Sequence, residues 1–388
     1  MLRGGDDRTG RPVGRAGGRS RATDTGTPRL PLRGRVASGG RAYPLSLSLP
    51  LSQPEHPHAP IDAFLRGLLP DNDIVLQRWA HRFGVSPRNA FALIREVGVD
   101  CAGAVQFVPE ERLQGGRSDS IAWLTDDDVA TRLRLLREDV SAGRLAGDAG
   151  QLSLAGAQPK TALLFDGQRW GVPSGRTATS HILKPALPNL EGHVENEHVC
   201  LNLARAFGMP AARSEARMFG DQQAIVVERY DRVDIRTMAD AQMFTSFAET
   251  VPVYRVHQED LCQALSLHPS RKYQSDGGPG PAEVVGLLRS VVSAGQPRSK
   301  EAAASRAVSA IVEDVTTFRD ALIFNWLIGG TDAHAKNYSL LLGGRGLVRL
   351  APLYDIATAL VYPHLDPMKA RMAMRVGGEY RLEHIGRH

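Results

Sequence analysis

The stretch that decides the fold reads Ile323-Phe324-Asn325-Trp326-Leu327-Ile328-Gly329-Gly330-Thr331-Asp332-Ala333-His334-Ala335-Lys336-Asn337. An apolar helix end runs into two glycines and then into a run of polar side chains. A loop positioned by a rigid apolar element is where catalytic groups concentrate. Asp332 and Asn337 stand five residues apart. In phosphoryl transfer, that spacing places a carboxylate to accept a hydroxyl proton and an amide to hold Mg²⁺. The His-Arg that precedes such an aspartate in protein kinases is here Gly330-Thr331. A capped polar turn built on the same two residues is the competing reading.

Working outward, Leu350-Ala351-Pro352-Leu353-Tyr354-Asp355-Ile356 follows. A single aspartate among apolar neighbours is costly unless it is paired or bound to a metal. In kinases this place belongs to a metal-binding aspartate; the plainer reading is a cap for a helix over 357–360. Upstream lies Ser153-Leu154-Ala155-Gly156-Ala157-Gln158-Pro159-Lys160. Small residues let backbone N–H groups approach a phosphate, and Lys160 adds charge. The run matches neither standard phosphate-loop pattern, so an ordinary loop is the alternative. Lys184 ends an apolar strand and Glu197 lies on the next helix. They are candidates for a phosphate-binding lysine and its carboxylate partner, or else ordinary surface charges.

The alternation of Leu45, Leu47, Leu49 and Leu51 with Ser46, Ser48 and Pro50 predicts a short strand or extended segment. Helices are expected over 61–69 and 73–97, the second broken at Gly84-Val85-Ser86-Pro87, and a strand over 104–108. Gly115-Gly116 and Ser118 mark a linker. A helix over 126–145 starts with three aspartates, which suit the positive end of its dipole. Strands are expected over 161–165, 169–172, 181–184, 217–219 and 224–230, with a helix over 195–207 between them. Helices over 259–266, 281–293 and 307–328 follow, then a hairpin of 340–342 with 347–350. A β-containing lobe before a mostly helical one is the order of a two-lobed α+β, protein-kinase-like fold. The units expected are 1–42, 43–115, 116–256 and 257–388.

The 388 residues are 42% apolar and 23% charged, an ordinary balance for a globular chain. Cys101, Cys200 and Cys262 are far apart, which excludes a disulfide framework and a Cys-rich zinc site and suits a reducing cytoplasm. No apolar run is long enough to cross a membrane. The net charge of +5 is misleading, because residues 1–41 hold ten Arg and three Asp, leaving −2 on the rest. The overall charge therefore gives no ground for reading the body as a nucleic-acid binder. Residues 1–42, rich in Arg and Gly, are expected to be disordered.

Taken together, several blocks resemble the HipA family of bacterial serine/threonine kinase toxins. They are the run from Ser153 to Lys160, Val227-Glu228-Arg229-Tyr230-Asp231-Arg232, His257-Gln258-Glu259-Asp260-Leu261-Cys262-Gln263, Lys272-Tyr273-Gln274-Ser275-Asp276-Gly277-Gly278-Pro279-Gly280 and Thr331 to Asn337. Pro44-Leu45-Ser46-Leu47-Ser48-Leu49-Pro50 and Leu69-Pro70-Asp71 resemble that family's N-terminal part. The resemblance runs from about residue 43 to the end.

The resemblance implies that Asp332 is the catalytic base and that Asn337 and Asp355 hold Mg²⁺. It implies that Ala155, Gly156, Ala157, Gln158, Pro159 and Lys160 cover the phosphates of ATP and that Lys184 contacts them. Glu228, Arg229 and Tyr230 would form the adenine-reading hinge. His334, Ala335, Lys336 and Tyr354 would line the nucleotide site. Ser153 would be an inhibitory autophosphorylation site. The implied substrate is an aminoacyl-tRNA synthetase of the glutamyl type. The implied partner is a helix-turn-helix, HipB-like antitoxin, with operator DNA reached mainly through it. Two departures stand out: residues 237–251 look inserted, and the chain ends short of the family's last helices. They leave open a catalytically impaired partner of the antitoxin–operator complex. A small-molecule kinase is a third reading.

Overall fold

The computed structural model describes residues 2–3, 15–16, 30–31, 42–108, 120–139, 153–175, 177–188, 190–234, 253–294, 301–366 and 368–385. Most of the expected disordered segment, the 115–118 linker and the 237–251 insertion lie outside these residues. Within 1–42, Leu2–Arg3 pairs with Arg15–Ala16 and with Gln106–Phe107, and Leu30–Pro31 pairs with Glu55–His56.

The N-terminal unit is a helical cluster of α1 (His58–Gly67), α2 (Asp73–Phe83) and α3 (Ala90–Val97). Asn72 caps α2 by accepting from the Ile74 and Val75 amides, and left-handed Gly84 ends it. Phe64, Leu68, Leu69, Leu93, Ile94 and Val97 are buried in its core. The leucine–serine alternation at 45–51 does not make a strand. Ser46 and Leu49 close a tight turn instead. The Ser46 and Ser48 hydroxyls both donate to the Gln263 carbonyl, giving the backbone an alternative to a ladder.

A six-stranded antiparallel sheet follows. Its strands are β1 (Ile121–Leu124), β2 (Thr161–Phe165), β3 (Trp170–Pro173), β4 (His181–Pro185), β5 (Ser214–Phe219) and β6 (Gln222–Glu228). The spatial order is β5-β6-β4-β2-β3-β1. Helix α4 (Asp126–Glu138), started by a Thr125–Asp128 capping box, covers one face over Leu163, Leu183, Phe219 and Val226. Helix α5 (His193–Ala206) covers the other.

Strand β7 (His257–Asp260) enters where a helix was expected from residue 259. The helix α6 (Leu261–Ala264) starts only after Asp260 caps it with Gln263. Further along come α7 (Pro281–Ala294), α8 (Glu301–Ile328), β8 (Ser339–Gly343) and β9 (Leu347–Leu350), and two short ribbons pair Arg232–Asp234 with Val253–Arg255 and Arg371–Val376 with Glu379–Arg381. Strands β7, β8 and β9 form one antiparallel sheet. The largest core spans both parts of the molecule, joining Leu201, Ile225 and Val227 to Leu261, Phe318 and Leu340. No helix among the described residues is long and apolar enough to cross a membrane.

Candidate active site

The site is a cavity of about 260 Å³ between the six-stranded sheet and the loop after α8. Strand alternation sets the first residue. Leu183 is fully buried under α4, so Ile182 and Lys184 face the cavity instead. Lys184 Nζ lies 2.7 Å from Glu197 Oε1 and also pairs with Asp355 Oδ1. Burial pushes the Lys184 ammonium down, but Asp355 and Glu197 outweigh it and hold it charged. Burial likewise raises Asp355, yet Lys184 and Lys160 bring its carboxyl well below the usual range.

Asp355 sits at φ +53, a left-handed position for a side chain other than glycine. No helix follows it, so the helix-cap reading of this aspartate is removed. Its conformation turns the carboxylate onto a lysine 171 positions earlier.

The phosphate-loop candidate is held over the cavity. Lys160 Nζ donates to the Ala155 carbonyl at 2.8 Å. Gly156 is at φ +101, and a Cβ there would come within 2.4 Å of Lys160 Nζ. The loop is thus a close-fitting cradle that only glycine completes.

Helix α8 ends at left-handed Gly329. A Cβ on Gly330 would meet Asn325 Oδ1 at 2.4 Å, so the second glycine lets the loop turn tightly against the helix. Asn337 Nδ2 donates to the Asp332 carbonyl at 2.8 Å. The same bond closes the polar turn that was the competing reading and leaves the Asn337 carbonyl oxygen as an acceptor. Tyr273 donates its hydroxyl to Asp332 Oδ1. The Asp332 side chain is 69% exposed, and the Tyr273 ring packs edge-on to His334 at 5.0 Å. Tyr354 donates to the Lys336 carbonyl at 2.8 Å and stacks on Tyr230 at 5.5 Å.

The wall includes Ala155, Gly156, Ala157, Gln158, Lys160, Lys184, Glu228, Arg229, Tyr230, Asp332, His334, Lys336, Asn337, Tyr354 and Asp355. Pro159 and Ala335 are not part of it. Ala335 is fully buried in the main core, and its N–H donates to the Lys272 carbonyl. The Arg229 side chain is directed at Asp231, Thr179 and the Cys101 carbonyl. Lys336 is committed to Asp71 at 2.7 Å. Ser153 is fully buried behind the loop, its hydroxyl donating to the Leu68 carbonyl at 2.7 Å. Apolar walls come from Ile182, Ala212 and Val227.

Sequence reasoning assigned no role to Asp71, Lys272 or Tyr273. They sat inside quoted blocks without a local pattern to mark them.

With this geometry in place, the comparisons are specific. The family model described as HipA-like C-terminal domain matches residues 152–387, and that of the HipA N-terminal domain matches residues 30–108. The chain belongs to the HipA family. It is 38% identical to Y4mE of Sinorhizobium fredii over 342 residues, covering 87% of this chain and 73% of that protein. It is 32% identical to the serine/threonine-protein kinase toxin HipA of Shewanella oneidensis over 344 residues, covering 87% and 71%. The solved complex of Shewanella oneidensis HipA with HipB and operator DNA superposes with a TM-score of 0.72 at 28% identity. It covers 99% of this chain and 82% of that one. The fold is accordingly the α+β HipA-like kinase fold expected from the order of elements, and the enzyme class is protein kinase.

Proposed function

We propose that this HipA-family kinase is the toxin of a toxin–antitoxin module and transfers the γ-phosphoryl group of ATP to a serine or threonine hydroxyl of a protein. The observation that carries the reading is the pairing of an exposed Asp332 carboxylate with the enclosed Lys184–Asp355–Lys160 cluster across one cavity. Tyr273 occupies Asp332 Oδ1, which leaves Oδ2 to accept the proton of an incoming hydroxyl. Lys184, Lys160 and the loop backbone around Gly156 supply fixed positive charge and N–H groups where phosphate charge must be held.

The residues fit Mg²⁺. Asp355 is an ionised carboxylate and Asn337 keeps a free amide oxygen, both hard oxygen donors facing the cavity. Among the described residues no three His, Cys, Asp or Glu gather as a metal cage. Mg²⁺ is ordinarily held by one or two protein oxygens with phosphates completing the shell. Bound there, the ion would neutralise phosphate oxygens.

Ser153 is the proposed autophosphorylation site. It is enclosed, so phosphate can reach it only when the loop leaves, and about two negative charges would then oppose its return. The proposed substrate is an aminoacyl-tRNA synthetase of the glutamyl type. The proposed partner is a helix-turn-helix antitoxin, through which operator DNA is contacted, in keeping with the assembly solved for the Shewanella oneidensis relative.

The test is transfer of radiolabelled γ-phosphate by purified protein with Mg²⁺. Label on Ser153 is expected, lost in Ser153→Ala. In Asp332→Asn the rate should fall about 10²–10⁴-fold, with thermal unfolding unchanged because the side chain is exposed. A folded wild-type protein that transfers no phosphate sinks the kinase reading. Label on a small molecule alone sinks the protein-substrate reading.

A further inference from the structure

The phosphate loop is held by the N-terminal helical unit as well as by its own strand. The turn after α1 is Leu68-Leu69-Pro70-Asp71. Pro70 bridges Gly156 in parallel, and the Asp71 N–H donates to the Gly156 carbonyl at 3.2 Å. The Leu68 carbonyl accepts from the Ser153 hydroxyl. The Asp71 side chain reaches the opposite wall of the cavity. Its Oδ1 lies 2.7 Å from Lys336 Nζ, between Asp332 and Asn337 in the chain, and its Oδ2 lies 3.1 Å from Lys272 Nζ. The Lys272 carbonyl in turn accepts from the Ala335 N–H in the catalytic loop. The carboxylate is 10% exposed. Burial raises its pKa, but Lys336 and Lys272 bring it below the ordinary value, so it stays charged.

One residue therefore ties both walls: its backbone holds the phosphate loop and its carboxylate holds the catalytic loop. We propose that Asp71 is a positioning residue that locks these two loops into one closed arrangement around the triphosphate. The proposal rests on the kinase reading for the identity of that ligand. An ion pair spanning two loops couples them, so removing it should loosen the grip on phosphate and spare the apolar adenosine walls.

The test measures Mg·ATP and adenosine affinities by calorimetry on the full chain, with amide exchange across residues 153–160. In Asp71→Asn, ATP affinity should fall about tenfold, adenosine affinity should stay within about twofold, and the loop amides should exchange faster. Lys272→Met, which keeps the Lys272 carbonyl contact, should act in the same direction with a smaller effect. It also provides the measurement if Asp71→Asn folds poorly. The double variant should bind ATP no more weakly than Asp71→Asn alone. Equal losses for ATP and adenosine, unchanged loop exchange, or tighter ATP binding by lysines freed toward the phosphates would overturn the proposal. A folded wild type that binds no ATP would instead break the kinase reading, and the exchange measurement would still decide the role of Asp71.

Discussion

Two of the buried ionic clusters among the described residues are built to opposite ends. At the cavity, Lys184, Lys160, Glu197 and Asp355 combine two cations and two carboxylates, with Asp355 one-third exposed and held in a left-handed conformation. Just beyond the end of β6, Arg229, Arg232 and Arg255 surround Asp100 and Asp231. There Arg229 grips Asp231 through two bonds, at 3.0 and 2.9 Å. Asp100 also accepts from the Thr179 hydroxyl and amide, and Asp231 from the Gly103 amide. Burial raises Asp100, but the three arginines bring it far below the usual range. This second cluster bolts Asp100, Cys101 and Gly103 of the N-terminal unit to the residues that follow β6. Buried charge alone does not mark a reactive site. What separates the two clusters is saturation: one has its acceptors filled by protein, and the other leaves acceptors facing a cavity.

Single substitutions should separate the two clusters cleanly. Arg232→Met leaves Asp100 and Asp231 short of a partner in a dry setting, where breaking a buried pair costs about 3–5 kcal/mol. Denaturant unfolding should register that loss, while phosphate transfer per folded molecule stays near wild type. Lys184→Met should do the reverse in emphasis. Transfer should fall about 10²–10³-fold, the usual effect of losing one fixed electrostatic contact, in protein that still melts cooperatively. Equal stability losses without a catalytic difference would erase the distinction.

A further buried acid sharpens the comparison, because Glu259 has no cation beside it among the described residues. Burial pushes its pKa up to about 8, against the lowering effect of Ser46 and the Leu47 amide. Its Oε1 accepts from that amide at 2.8 Å, and its Oε2 has no partner. The folded state therefore binds a proton that the unfolded chain releases near pH 4. The resulting stability is full below that value and is lost as the pH rises toward 8. Unfolding free energy should fall by a few kcal/mol across that window, and Glu259→Gln should flatten the slope. A pH dependence unaltered by the substitution would contradict the assignment.

The smallest effect is expected at the cradle. Gly156→Ala places a Cβ at φ +101 against the mobile end of Lys160. Strain of about 1–3 kcal/mol should weaken ATP binding while leaving overall stability unchanged, because the loop can swing out to relieve it. Isothermal titration beside a melting curve would check both halves.

How much was legible in the chain follows from how local each feature is. The order of a β-containing lobe before a helical one, and the 339–350 hairpin, follow from side-chain period and turn residues, and the structure keeps them. The leucine–serine run misled because hydroxyls took over the backbone pairing. The strand at 257–260 was missed because it is short and its partner lies some 80 residues downstream. Lys184 and Glu197, thirteen positions apart, were readable as a pair from strand and helix order.

The sequence by itself determined the chemistry on offer: an Asp-to-Asn spacing of five behind an apolar helix, a later aspartate, and a small-residue loop ending in lysine. Those spacings are set by turn and helix geometry that neighbouring residues impose. Only the tertiary structure decided which charges meet. It put Asp355 on Lys184, turned Arg229 onto Asp231 and Thr179, and carried Asp71 to Lys336 across 265 positions of chain. Such pairings depend on how separate cores pack against one another, and no local period in the sequence encodes that.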